Sequence, residues 1–343
     1  MAAKRTGSAT NGARMKSSSP KARKAPFTIA FSGVTDVGLV REGNEDCLLA
    51  HPAAGLYVVA DGMGGHNCGE VASQFAVEAM MAFYDSEDIT QRVKDAHKQA
   101  VKQLPKSSRD PSFHALRLRK AAESANISVY RLSQQHEALR DMGTTVVAAA
   151  FSGSRLYVAN VGDSRVYRMR RGELVQLTED HSLVNEYLKM NMLRPEDVES
   201  FPYKNVIVRA VGLHERVTVD VTWSTVKPGD QILLCSDGLT DLVKDDAIAH
   251  VLSTSATPDE ATAKLVECAK DAGGHDNISA LLIELQPFDA DAVAAPLVKL
   301  PPTTSDAAEE SALPAPSGSP PPGPPPPGPA PSGPPPPGPA PID

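Results

Sequence analysis

Acidic residues recur where short apolar runs of this sequence end. Leu56-Tyr57-Val58-Val59-Ala60 runs into Asp61-Gly62, and Ile232-Leu233-Leu234-Cys235-Ser236 runs into Asp237-Gly238. Val158-Ala159-Asn160-Val161-Gly162 leads to Asp163-Ser164-Arg165. Gly274-His275-Asp276-Asn277 precedes another apolar run, and Arg41 stands shortly before Glu45-Asp46. A carboxylate at a strand end sits on a rigid support, and a following glycine lets the backbone approach closely and turn. Carboxylates gathered from several strand ends repel one another unless a cation lies between them. Oxygen donors without a His/Cys cluster suit hard divalent ions such as magnesium or manganese. Two such ions about 3.5–4 Å apart are a device for phosphate hydrolysis: a water loses its proton and attacks while charge on the phosphate is absorbed.

Each piece alone also has a plainer reading. Asp-Gly is a frequent turn dipeptide, so Asp61-Gly62 and Asp237-Gly238 read as turns. Asp163-Ser164 reads as an Asx-turn, and Glu45-Asp46 as solvated surface. Spacing along the chain does not bring these residues together, so both readings stand on the residues alone.

The elements that would position them come as clusters of strands and blocks of helices. Strands are predicted at 27–34, 56–60, 145–151, 155–161, 164–170, 217–225, 230–235 and 279–285, rich in Val, Ile and Tyr and bounded by Gly, Asp or Ser. Tight turns at 152–154 and 170–172 predict antiparallel meanders. Helices are predicted at 69–84, 90–104, 114–137, 182–193 and 257–272. The last has Thr257 as N-cap, Pro258 at the first helical position, Glu260 closing a capping box and Gly273-Gly274 as its stop. Clustered strands and blocked helices favour a layered α+β fold.

Three regions separate by composition. Residues 1–26 hold seven Lys and Arg and no acid, so a formal net charge of −8 leaves −15 on the remainder. An acidic body argues against nucleic acid as a partner, since that binding is driven by cationic side chains. The first 26 residues lack apolar periodicity and are expected to be a disordered, solvated leader. From residue 287 to 343 a second disordered tail is expected. Seventeen of the 30 prolines lie at or after Pro314, in a string repeated at 323–331 and 333–341. Proline denies the backbone its donor, so this is an extended spacer or a ligand for a proline-reading partner. Residues 27–286 are then the folded domain. The four cysteines match no zinc spacing and are expected as buried small hydrophobes in a reducing compartment. No signal segment and no membrane span is legible, which places the protein in the cytoplasm.

Taken together, eight segments resemble, in order, the bacterial branch of the type 2C metal-dependent protein serine/threonine phosphatases. They are Val40–Asp46, Val59–His66, Gly143–Thr145, Gly162–Arg165, Thr178–Ser182, Asn205–Gly212, Ser236–Leu239 and Gly274–Asn277. The resemblance covers about residues 30–285. It implies a four-layer αββα sandwich of two mainly antiparallel sheets flanked by helices, with the site in a cleft at one edge.

The resemblance also implies roles. Asp61 bridges two manganese or magnesium ions. Glu45 and the Gly62 carbonyl hold one of them, and Asp237 and Asp276 the other. Asp46 orients the attacking water, Asp163 with Asp237 serves a third, weaker site, and Asn277 supports the Asp276 side. Arg41 binds the substrate phosphate, to whose oxygens a planar guanidinium is suited. A water between the two ions attacks phosphorus in line, without a covalent enzyme intermediate. The segment between Ser182 and Asn205 corresponds to a flap beside the cleft. Phosphorylated proteins are the implied substrates, and serine/threonine kinases and their targets the implied partners. Met63 stands where some eukaryotic relatives have a histidine proposed as general acid. His66 lies three residues on, and the general acid is unassigned. Val208 and Val211 stand where relatives often have Thr and Leu. A catalytically silent scaffold and a small-molecule phosphatase are the rival readings.

Overall fold

The computed structural model describes residues 27–64, 68–103, 112–203 and 206–288. The expected leader, His66, Asn205 and the expected tail from residue 289 on lie outside the described residues, while Pro287, placed in the tail from sequence, is the last residue of the final strand. The chain begins with β1 (Phe27–Asp36), β2 (Asp46–His51) and β3 (Leu56–Met63), followed by α1 (Cys68–Asp85), α2 (Glu87–Gln103) and α3 (Phe113–Gln135). Next come β4 (Gly143–Thr144), β5 (Val146–Ser152), β6 (Arg155–Val161), β7 (Arg165–Arg170), β8 (Glu173–Gln176) and α4 (Leu183–Lys189). The chain closes with β9 (Asp220–Thr225), β10 (Gln231–Cys235), α5 (Asp237–Thr240), α6 (Asp245–Thr254), α7 (Pro258–Asp271) and β11 (Ile278–Pro287).

The strands form two antiparallel sheets. The first runs β1-β11-β10-β7-β8 and the second β2-β3-β5-β6-β9, with β4 beside β3. Tyr57, Val59, Val147 and Val158 of the second sheet meet Val166, Ile232, Leu234 and Ile283 of the first in one buried layer. The alternate residues Leu56, Val58 and Ala60 face α1 and α3. Leu233, Cys235 and Leu282 face the α5–α7 side. Strands covered on both faces must be apolar on both, which explains the unbroken run at 56–60. Each such Leu or Ile contributes about 1.5–3 kcal/mol by leaving water. The result is the αββα sandwich.

The local signals hold in detail. The β7–β8 hairpin closes through Arg171 and Gly172, both at positive φ, as a two-residue hairpin of this hand requires. Thr257 accepts from the Glu260 amide at 3.2 Å to cap α7, while Glu260 reaches the amide of Ala256, one residue earlier than a capping box requires. Other expectations are corrected. The helix expected over 182–193 stops at Lys189, because Asn191 turns into the left-handed region. The strand expected from 217 starts at Asp220. β2, β4, β8, α5 and α6 carry no strong sequence signal. α6 begins after Lys244, whose side chain provides no cap bond. The cysteines are free, with Cys68 and Cys235 buried and Cys47 and Cys268 half-buried. Among the described residues, no helix is long and apolar enough to cross a membrane.

Candidate metal centre

Two strand pairs bring the acidic segments to one edge of the sandwich. Antiparallel pairing of β2 with β3 places Asp46 directly opposite Asp61. In the other sheet β10 pairs with β11, so Asp237 just after β10 meets Asp276 just before β11. The glycines of the motifs permit the close approach. A methyl group on Gly62 would overlap the Gly69 carbonyl, and one on Gly238 the Asn277 carbonyl.

Asp61 is fixed through its backbone. Its amide donates to Thr145 Oγ1 at 3.0 Å, and its carbonyl accepts from Thr144 Oγ1 and the Thr145 amide. Glu45 accepts from the Gly69 amide through Oε1 at 3.2 Å, and its carbonyl accepts from the Gly62 amide at 3.0 Å. Asn277 holds the 37–45 loop with three bonds. Its Oδ1 accepts from the Glu45 amide, and its Nδ2 donates to the Val37 and Gly43 carbonyls. Arg41 donates to Asp276 Oδ2 at 2.8 Å, both side chains being about half exposed.

Asp46 and Asp163 are deeply buried, at 5% and 8% exposure. Asp46 Oδ2 accepts from Ser236 Oγ at 2.8 Å. Asp46 Oδ1 and Asp163 Oδ1 have no hydrogen-bond partner. Asp163 follows Gly162, which adopts φ +110°. His181 grips that turn twice: its own amide donates to the Gly162 carbonyl at 2.9 Å, and its Nδ1 accepts from the Gly162 amide at 3.0 Å. With Nδ1 accepting, the proton is on Nε2, which donates to Asp220 Oδ2 at 3.0 Å. Burial keeps this imidazole below its ordinary pKa.

The electrostatics follow from this crowding. Burial and then the neighbouring carboxylates push Asp46 up to about 7 and Asp163 up to about 8. Asp61 is pushed well above the usual carboxylate range by burial and by Asp46, Asp237 and Asp163. Asp237 is among the carboxylates that crowd Asp61, and two carboxyls this close disfavour each other's ionisation. Among the described residues, no three Asp, Glu, His or Cys side chains are already closed around one point at metal-ligand spacing. Asp276 is turned onto Arg41 instead. The donor set nonetheless fits hard divalent ions: oxygen atoms only, mutual repulsion that cations relieve, and two buried carboxylate oxygens without protein partners.

Sequence reasoning named Arg41, Glu45, Asp46, Asp61, Gly62, Asp163, Asp237, Asp276 and Asn277. The fold gathers them at this edge. It missed the supports: Ser236 beneath Asp46, Thr144 and Thr145 beneath Asp61, and His181 behind Asp163. All four stood in the quoted segments, and their hydroxyl or imidazole groups beside a carboxylate motif were the available signal. Arg165, also in a quoted segment, forms a two-pronged pair with Asp180 at 2.7–3.1 Å.

Comparison with known proteins agrees with this geometry. A family model described as protein phosphatase 2C matches residues 42–279. A serine/threonine phosphatase of Listeria monocytogenes is 36% identical over 253 residues, covering 73% of this chain and 93% of the relative. The crystal structure of the Mycobacterium tuberculosis serine/threonine phosphatase PstP superposes with a TM-score of 0.65 at 33% identity, covering 75% of this chain and 99% of that one. A PstP catalytic domain in complex with two manganese ions superposes with a TM-score of 0.62 at 32% identity, covering 75% and 98%. The chain belongs to the protein phosphatase 2C family.

Proposed function

We propose that this protein hydrolyses phosphoserine and phosphothreonine monoesters in proteins, with divalent ions held by Asp61, the Gly62 carbonyl, Glu45, Asp237 and Asp276. The observation that carries the reading is the meeting of carboxylates from both sheets at one edge, so crowded that Asp46, Asp61, Asp163 and Asp237 all resist ionisation. Bound there, such ions lower the pKa of water and neutralise charge on phosphate. The rest is the work of the chain. Arg41, half exposed beside Asp276, presents its remaining N–H donors to the phosphate oxygens. Asp46, held by Ser236 through Oδ2, orients the attacking water through Oδ1. Asn277 locks the 37–45 loop so that Arg41 and Glu45 keep their places. Asp163, steadied by His181, serves a third and weaker ion together with Asp237.

Manganese is the working choice of ion, since PstP takes two, and magnesium shares its ligand preferences. Serine/threonine kinases and their substrates are the proposed partners, the cytoplasm the proposed compartment, and a proline-reading domain the proposed partner of the tail. Division of the chain at residues 26 and 286 into leader, catalytic domain and tail belongs to the same proposal.

The test is phosphate release from a phosphothreonine peptide with manganese, with magnesium and with EDTA, alongside Asp237→Asn. Release that needs the metal and falls at least about 100-fold in the variant supports the reading, since even outer supports of a metal site are worth 10–100-fold. Folded protein that releases nothing with any metal overturns it.

A further inference from the structure

Asp61 and Asp163 stand on two strands that share a neighbour. β5 pairs with β3 on one side and with β6 on the other. Thr145 immediately precedes β5, so it lies between Asp61 in β3 and the Gly162-Asp163-Ser164 turn after β6. Thr145 is completely buried. Towards β3, its Oγ1 accepts from the Asp61 amide at 3.0 Å, and its amide donates to the Asp61 carbonyl at 2.8 Å. Towards the turn, the same Oγ1 lies 2.7 Å from Ser164 Oγ in a hydroxyl–hydroxyl bond, and Ser164 is completely buried as well. Thr145 also takes the space beside Gly162, where an added Cβ would come within 2.6 Å of Thr145 Cβ. The Asp163 turn is thus held by Thr145 as well as by His181.

Among the described residues, Thr145 is the one side chain hydrogen-bonded both to Asp61 and to the turn that carries Asp163. A threonine oxygen can serve both, because it offers two lone pairs and a proton. Valine has nearly the same shape and offers neither. Asp163 lies close enough to Asp61 to oppose its ionisation, so the two repel once both are charged, and the bonds through Thr145 hold them at one spacing. Groups that orient metal-binding side chains set metal affinity although they touch no ion themselves. Building on the phosphatase reading, we infer that Thr145 is a positioning residue whose hydroxyl locks Asp61 and the Asp163 turn in one register, so that the ions at the two carboxylates depend on it together.

The experiment is a calorimetric manganese titration of the wild type, Thr145→Val, Thr145→Ser, Ser164→Ala and the Thr145→Val/Ser164→Ala double variant, with turnover of p-nitrophenyl phosphate measured alongside. Thr145→Val is expected to weaken manganese binding about 10- to 100-fold and to lower kcat with it, and Thr145→Ser, which keeps the hydroxyl, to restore most of both. Ser164→Ala cuts the link at the turn and leaves the Asp61 bond in place. It is expected to weaken manganese binding severalfold, and the double variant to bind no more weakly than Thr145→Val, since two groups acting through one bond are not additive. Additive losses in the double variant overturn the inference, as does a Thr145→Ser variant as damaged as Thr145→Val, which would assign the role to shape alone. If Thr145→Val does not fold, wild-type binding by Ser164→Ala overturns it. Thr145→Val that binds manganese as the wild type does overturns the inference and leaves the phosphatase reading intact, whereas wild-type protein that binds no manganese overturns both.

Discussion

The hydroxyl of Ser236 donates to the carboxylate of Asp46 at 2.8 Å across 190 residues of sequence. It joins the end of β10 in one sheet to the start of β2 in the other. The same oxygen accepts from the Ser279 amide at 3.0 Å. Ser236→Ala therefore strands a buried N–H and removes a donor from Asp46. The expected cost is about 1–3 kcal/mol, read as a lower midpoint in urea. Phosphatase activity is expected to fall about 10- to 100-fold. Full activity from the folded variant would show that Asp46 does not depend on this bond.

Gly238→Ala places a methyl group against the Asn277 carbonyl. The loop carrying Asp276 must then move away from α5. Overpacking of this kind costs about 1–3 kcal/mol, and the manganese concentration for half-maximal activity is expected to rise. A metal titration identical to the wild type's would mean that the Asp276 loop tolerates the shift.

His181→Gln removes the imidazole that accepts from the Gly162 amide and donates to Asp220. The Asp163 turn loses its rear support. The expected outcome is a lower kcat with little change in KM for p-nitrophenyl phosphate, partly restored by excess manganese. A change confined to KM would move the role of His181 from the turn to substrate access.

Stability in chelator is expected to fall as pH rises from about 7 to about 8. Asp46 and Asp163 hold protons there in the folded chain, at about 7 and about 8, whereas unfolded carboxyls have lost theirs near 4. The folded state thus binds more protons, and each pH unit removes stability. The chosen window lies above the ordinary histidine pKa, so His114 and His181, which burial depresses and which act in the opposite sense at lower pH, do not mask it. A loss of about 1 kcal/mol lowers Tm by roughly 2–4 °C. Manganese is expected to raise Tm more at pH 8 than at pH 7, since its binding displaces those protons. A Tm in EDTA that climbs across this window would contradict the crowded-carboxylate picture.

The layered fold and most of the site were legible because the decisive residues sit at the ends of strongly apolar runs. Strand β3 announces itself in five consecutive buried residues, and Asp61-Gly62 ends it. β2 did not, because Asp46–His51 is a short run whose inner residues are mostly half-buried. α6 was missed for want of a capping side chain, and α4 was overextended because nothing in the Met190-Asn191-Met192 run announces the left-handed turn at Asn191. Convergence was illegible on physical grounds. The pairing of Asp46 with Ser236 and of Arg41 with Asp276 spans most of the chain, and no local rule encodes a contact of that separation. The family resemblance supplied it.

Neither sheet owns the site. Asp46 and Asp61 belong to the sheet containing β2 and β3, while Asp237 and Asp276 flank β10 and β11 of the other. An ion gripped by both sets is a clasp across the seam of the sandwich. A one-residue slip in the pairing of β2 with β3, or of β10 with β11, turns the slipped strand's side chains to the opposite face and opens the clasp. On the proposed ligand set, catalytic competence is tied to the alignment of two halves that meet through a largely apolar layer and a few polar bonds such as Ser236 to Asp46.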